Sequence, residues 1–287
     1  MIYLGFALLT ALFESLKDLS GKFGLRQLDE FFISWSMMAF ALPVLLPLLF
    51  YIDIPDLNRS FYQALLIGGV LNGISLILYM RAIKLSPLSI TIPMITFTPL
   101  FLLATSPVML GEFPSAIGIL GVLLIVFGSY MLNIKRRGKG FMEPFRALLE
   151  EPGPRLMLLV AFIWSITSNI DKIGVQNSSP VFWSVAMTCF LAVALFPLML
   201  IYSKPTTKSI TGQMKYLVAL GLFNALTFIT QMIAINVILV AYVISIKRGS
   251  AVLSVVWGHI FFGEKGLRER LTGVIIMVAG VMLIAIS

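Results

Sequence analysis

The chain has 287 residues, 59% hydrophobic and 12% charged, with 21 Lys and Arg against 13 Asp and Glu and a single cysteine, Cys189. A soluble domain carries about 25% charged residues, and one core of this size cannot hide so much apolar surface, so a soluble globular domain, a disulfide framework and a multi-cysteine metal site are excluded. The formal charge of +8 lies in short loops between apolar runs, the pattern of membrane flanks rather than of a nucleic-acid surface.

Taken in chain order, the first apolar run, 2–20, carries Glu14, Lys17 and Asp18. It has neither the basic start nor the small-residue cleavage site of a signal peptide. Runs at 31–51, 61–83, 87–109 and 115–134 follow, each near the ~20 residues needed to cross about 30 Å of hydrocarbon. The stretch 135–154 opens Lys135-Arg136-Arg137 and places Phe141, Phe145, Leu148 and Leu149 at helical spacing, with Arg146, Glu150 and Glu151 between them. That pattern predicts an interfacial amphipathic helix, serving as linker or regulatory element. Further runs cover 155–175, 181–202, 214–236, 240–262 and 268–286. From Tyr216 to Ile246 there is no charged residue and no Gly or Pro except Gly221, a run too long for one ordinary span.

An internal repeat supplies the missing boundary. A shift of 150 brings Ala11, Ser15, Lys22, Gly24, Phe32, Ser34, Met37 and Phe40 onto Ala161, Ser165, Lys172, Gly174, Phe182, Ser184, Met187 and Phe190. A shift of 152 brings Gly69, Asn72, Met80, Ala82 and Ile83 onto Gly221, Asn224, Met232, Ala234 and Ile235. The same register carries Gly111-Glu112 onto Gly263-Glu264, Gly121 onto Gly273 and Gly128 onto Gly280. The turn at Lys84–Pro87 then maps onto Asn236–Leu239 and divides the long run. The predicted fold is an all-α polytopic membrane protein of ten transmembrane helices, with repeats at 1–134 and 155–287 joined by 135–154. Five spans per repeat is an odd number, so the second repeat enters the bilayer inverted. Inverted repeats characterise secondary transporters with a substrate site near the midplane; the plainer alternative is a duplication that only stabilises a bundle.

The basic residues test the inversion. Seventeen of them flank the loops after spans 1, 3, 5, 7 and 9, while Arg59 and Lys172 lie opposite and Lys247 and Arg248 lie inside a span. The positive-inside rule places the odd loops in the cytoplasm and both termini outside.

Lys247 and Arg248 carry the strongest functional signal. They sit roughly 10 Å into span 9 at ~1.5 Å per residue, where a cation costs about 2.5–3.5 kcal/mol on insertion scales. Their repeat positions are Ile95 and Thr96, so the charges are not part of the repeat scaffold. They bind an anionic substrate, or they snorkel or pair with an acid. Glu14 is a proton-coupling carboxylate, or it is neutralised by Lys17 one turn away on the same face. Asn72 and Asn224 are repeat mates, with Tyr79 and Gln231 seven residues beyond them; such polar stripes line a cavity or join helices by hydrogen bonds. Trp164 and Asn169 read as cavity lining, Trp35, Trp183 and Trp257 as packing or interface anchors, and His259 as an interfacial histidine. Pro93, Pro99 and Pro107 suggest a hinge in span 4. No Gly-rich phosphate loop, His-Glu-x-x-His motif or cysteine pair appears. No metal or cofactor is expected, nor an ATP-driven pump or a membrane metalloprotease.

The ten-span layout, the segment Trp164…Asp171-Lys172, Gly-Glu after spans 4 and 9, and Gly-x6-Gly in spans 5 and 10 resemble the drug/metabolite transporter superfamily, in its EamA-like branch. That resemblance implies metabolite transport: members export amino acids and other metabolites, and relatives exchange triose phosphates or nucleotide sugars. Lys247-Arg248 is similar to a pair in plastid phosphate translocators that grips the substrate phosphate, and Lys22 and Lys172 resemble lysines of the same proteins. The first repeat departs at Glu14, where such families often have Trp. Many members are expected to have cytoplasmic termini, opposite to the charge bias here.

The expectation is thus a secondary transporter moving a small polar metabolite by alternating access, with an organic or phosphorylated anion held by Lys247 and Arg248. One alternative is a proton-coupled exporter of amino acids or drugs; another is an intramembrane enzyme on a lipid phosphate, disfavoured by the missing nucleophile–base pair. The expected partners are a small-molecule substrate and the lipid bilayer, without nucleic acid. The protein is expected in the cell membrane, as monomer or homodimer.

Overall fold

In the computed structural model, which describes residues 2–85, 94–133, 150–250, 252–253, 257, 260 and 267–287, the described residues form helices and connecting turns and no strand. In chain order the helices are α1 (Ile2–Gly24), α2 (Glu30–Ala39), α3 (Leu42–Leu45), α4 (Arg59–Leu85), α5 (Thr98–Leu110), α6 (Ala116–Asn133), α7 (Pro152–Gln176), α8 (Pro180–Tyr202), α9 (Thr207–Val237), α10 (Val240–Lys247) and α11 (Leu267–Ala285). A 3-10 segment, Leu46–Tyr51, follows α3. Among the described residues, five stretches are long and apolar enough to cross a bilayer: Glu30–Tyr51, Arg59–Tyr79, Pro152–Gln176, Pro180–Tyr202 and Thr207–Val237. Of the predicted linker 135–154, residues 135–149 lie outside the described residues, as do Pro93 and His259.

Local chemistry sets the helix ends. Asp29 and Ser179, which are repeat mates, both cap the helix that follows. Asp29 accepts from the backbone N–H groups of Phe31 and Phe32, each at 3.0 Å, and Ser179 accepts from Phe182 at 3.1 Å, satisfying donors that the first helical turn leaves open. Asn58 and Ser115 do the same for α4 and α6. Gly111 ends α5 at φ 67°, a left-handed conformation that costs glycine nothing. The predicted division of the long apolar run is present, with α9 ending at Val237 and α10 starting at Val240. However, α9 begins at Thr207, seven residues before the expected boundary at 214, because Thr206 and Ser209 cap it in the polar loop. The expected span 31–51 is not one continuous helix: α2 gives way to a turn at Phe40–Ala41, then to α3 and the 3-10 segment, with Pro43 and Pro47 in their first turns.

Two compact units arise, one from Met1–Ile77 with Ile170–Val237, the other from Leu78–Asn169 with Ile238–Ser287. Each draws on both sequence repeats, and the boundary falls inside α4 and α7. In the first unit α1 lies antiparallel to α9, with Phe23 stacked on Tyr216 at 4.7 Å and the Thr10 and Thr230 hydroxyls 2.9 Å apart. Helix α2 lies antiparallel to its repeat mate α8, with Phe31 stacked on Tyr202 and Trp35 against Phe196. Ala41, Leu45, Val185 and Ala225 fill the core between them.

The repeat is visible in the contacts themselves. Gly69 accepts the ring of Phe190, and its repeat mate Gly221 accepts Phe40, the mate of Phe190. Gly24 lies under Ile33 as Gly174 lies under Trp183, again with every partner exchanged for its mate. In the second unit, a methyl placed on Gly121 would lie 2.8 Å from the Gly280 carbonyl oxygen, and one on Gly128 would lie 2.7 Å from that of Gly273. Helices α6 and α11 are repeat mates, and these pairings run them antiparallel, as an inversion requires. Small residues allow this close backbone approach where lipid supplies no hydrophobic drive between helices.

Candidate functional site

The second unit contains a matched pair of helix interruptions. Met94 and Ile95 are helical, residues 96–97 turn, and α5 resumes at Thr98; Ile246 and Lys247 are helical, residues 248–249 turn, and helix resumes at Ser250. The two turns occupy the same repeat position and share a hydrogen bond, from the Phe97 N–H to Met94 C=O at 3.3 Å and from the Gly249 N–H to Ile246 C=O at 2.8 Å. Pro99, in the first turn of α5, cannot donate to the preceding turn and so favours the break. Pro107 lies within α5 near its end.

Arg248 stands at one of these breaks and reaches the other. Its side chain is buried, with 9% exposure. Nη2 donates to the Thr98 hydroxyl at 3.1 Å, and that hydroxyl donates in turn to the Ile95 carbonyl at 2.8 Å. The guanidinium carbon lies 5.8 Å from the centroid of the Trp164 ring, within cation–π range. Trp164 stacks on Tyr79 at 5.4 Å with the rings 29° apart. Both rings pack on a core containing Ala82, Met94, Ile95, Met157, Val160 and Ala161. The fold therefore brings together three residues singled out in the sequence, Arg248, Trp164 and Tyr79. It adds Thr98, which sequence reasoning missed although Thr-Pro at a span centre was a legible signal. Lys247 is half-buried on the preceding helical position, pointing about 100° away around the axis.

Asn169 belongs to the same unit in a different setting. It is fully enclosed, accepting from the Ser106 hydroxyl at 2.8 Å and donating to the Thr105 hydroxyl at 3.1 Å and to the Ser165 carbonyl at 3.0 Å. These bonds join α7 to α5, and a side chain so fully engaged holds helices together.

The remaining candidates belong to the first unit. Glu14 is buried, with 6% exposure, and its carboxylate lies 2.7 Å from the Lys17 ammonium, which is 3.8 Å from Asp18. Gln231 is buried next to Thr230 on α9. The repeat mates Lys22 and Lys172 differ, the first exposed at the end of α1 and the second buried on α7. Asn224 donates to the Met37 carbonyl at 3.5 Å and so links α9 to α2, while Asn72 is half-buried on α4. Trp183 is fully enclosed and donates from Nε1 to Asp171 at 3.0 Å, a packing role that leaves the Asp171 carboxylate hydrogen-bonded. Among the described residues no group of His, Cys, Asp and Glu is placed to hold a metal.

The family model for EamA-like transporters matches residues 1–134 and 152–286, one copy on each half of the repeat. The chain belongs to the EamA-like transporter family. It is a membrane protein of the drug/metabolite transporter type, in a family whose members are transporters rather than enzymes. A solved crystal structure resembles this EamA-like protein over 99% of its chain and 98% of the other, with a TM-score of 0.81 at 16% identity, a likeness of fold alone. No curated protein matches it.

Proposed function

We propose that this EamA-like protein is a multi-pass protein of the cell membrane that moves a small organic or phosphorylated anion by alternating access. In this reading ten spans form two inverted five-span repeats, at 1–134 and 155–287, and the substrate meets Arg248 at the paired breaks of spans 4 and 9. The observation that carries it is the setting of Arg248: a permanent cation, buried, supported by the Thr98 hydroxyl and the Trp164 ring at mid-span. Placing a cation there is costly, and an anion passing through the site offsets that cost. The guanidinium fork suits a carboxylate or phosphate better than an ammonium does. Lys247 adds charge at the site and Tyr79 and Trp164 line it; Gln231, Lys22 and Lys172, in the first unit, remain separate candidates for substrate contact. The lipid bilayer and the small-molecule substrate are the partners, and the protein works as monomer or homodimer.

The test is thermal melting of the purified protein with and without phosphorylated sugars, carboxylates and amino acids, since a ligand that binds the folded state raises its stability. An anion that stabilises the parent should bind about tenfold or more weakly to Arg248→Gln, with partial recovery in Arg248→Lys and a smaller loss in Lys247→Gln. Unchanged affinity in both glutamine variants removes the anion site. Lower stability of the variants with affinity intact would assign the pair to an internal salt bridge instead.

A further inference from the structure

The Gly-Glu motif after span 4 has no part in the substrate reading above, yet its geometry is specific. Gly111 takes its left-handed turn directly after α5 and turns the chain so that Glu112 comes next to the start of α10. There Glu112 Oε2 accepts the Val240 backbone N–H at 2.9 Å. Two residues into α10, the Tyr242 hydroxyl accepts the Ser115 backbone N–H at 3.1 Å. Ser115 itself caps α6 by accepting the Gly118 N–H at 3.0 Å. Gly118 is required here because a methyl in its place would collide with the Tyr242 hydroxyl. One short loop, Gly111 to Ser115, thus holds the end of α5, the start of α6 and the start of α10 together.

What α10 carries at its other end is Lys247 and then Arg248, the latter eight residues after Val240, roughly 12 Å at 1.5 Å per residue. Val240 to Ile246 are buried throughout, so this segment is a rigid rod whose far end follows its near end. A carboxylate at the near end satisfies an open N–H and complements the positive end of the helix dipole. We infer that Glu112 is a positioning residue for the transport site, fixing the start of α10 so that the Arg248 guanidinium meets Thr98 and Trp164. This rests on the reading of Arg248 as the anion contact.

The experiment combines hydrogen exchange over residues 238–250 with melting curves in graded inorganic phosphate, on the full-length protein in detergent. Glu112→Ala should speed exchange in that segment about tenfold and raise the phosphate concentration for half-maximal stabilisation about tenfold. Glu112→Gln keeps a carbonyl oxygen for the Val240 N–H and should recover most of both. Tyr242→Phe loses only the second hold, should move both about threefold, and serves as the test if Glu112→Ala does not fold. In an Arg248→Gln background, Glu112→Ala should leave the phosphate response where Arg248→Gln put it, because residues acting through one contact are not additive. Unchanged exchange in Glu112→Ala or Tyr242→Phe, or phosphate effects that simply add, overturns the inference. An exchange response without any phosphate stabilisation of the parent sustains the hold of Glu112 on α10 and removes only the anion assignment.

Discussion

Glu14 and Arg248, both buried, sit in different surroundings. Arg248 is supported by a hydroxyl and a ring, whereas Glu14 faces a lysine 2.7 Å away on its own helix. The Lys17 ammonium supplies Glu14 with a local ion-pair partner one turn away. Glu14→Gln is therefore expected to lower the melting temperature modestly, by an effect of about 1–2 kcal/mol, since Asp18 at 3.8 Å remains to balance Lys17. Proton-driven accumulation in proteoliposomes should survive. Accumulation lost with exchange preserved would place Glu14 in the coupling step. Sequence spacing alone named both residues and the lysine partner, because i, i+3 neighbours share a helix face. It did not identify Thr98 as the partner of Arg248 or Asp171 as the partner of Trp183. Hydrophobic period tells which residues share a face, and says nothing of what another helix presents to it.

Helices inherit their partners from glycine. The residues that aligned the two repeats, Gly24, Gly69, Gly121, Gly128 and Phe40 with their mates, are also found at close helix contacts, which explains why the repeat was legible without hydrophobicity. A methyl on Gly221 would meet the Phe40 backbone, and backbone cannot step aside as a side chain can. Gly221→Ala is expected to destabilise the protein by about 1–3 kcal/mol, as overpacking does, measured as a fall in melting temperature in detergent. Gly5→Ala, with open space around it, should leave the melting temperature unchanged or slightly raised. If both variants melt like the parent, the close helix contacts do not support the fold. The paired turns of spans 4 and 9 were less legible. Three prolines suggested a hinge in span 4, but span 9 has none, and its break at Arg248-Gly249 followed only once both halves were seen to turn at one repeat position.

At the scale of the molecule, the sequence repeats and the compact units do not coincide. Each unit takes helices from both halves, since a span pairs with whichever neighbour fits it and the apolar pattern of a span carries no address. Orientation is the molecular property that charge addresses most directly. The basic residues of the odd loops predict that Thr207, exposed at the start of α9, faces the cytoplasm, and that Asp56, exposed ahead of α4, faces outward. With Cys189→Ala as background, an impermeant thiol reagent added to intact cells should label Asp56→Cys and spare Thr207→Cys. The opposite pattern would give the chain the cytoplasmic termini expected of many relatives.

The crossed glycine contact between α6 and α11 is symmetric under exchange of the two halves. Gly121 meets the mate of Gly128, and Gly128 meets the mate of Gly121, so each half offers the same patch to the other, the hallmark of an isologous two-fold contact. Nothing in such a contact requires one continuous chain. A single five-helix polypeptide inserted in both orientations, meeting its own upside-down copy, would build it from one gene. Arg248 stands where the first half keeps Thr96, so of two matching helix breaks only one carries a cation.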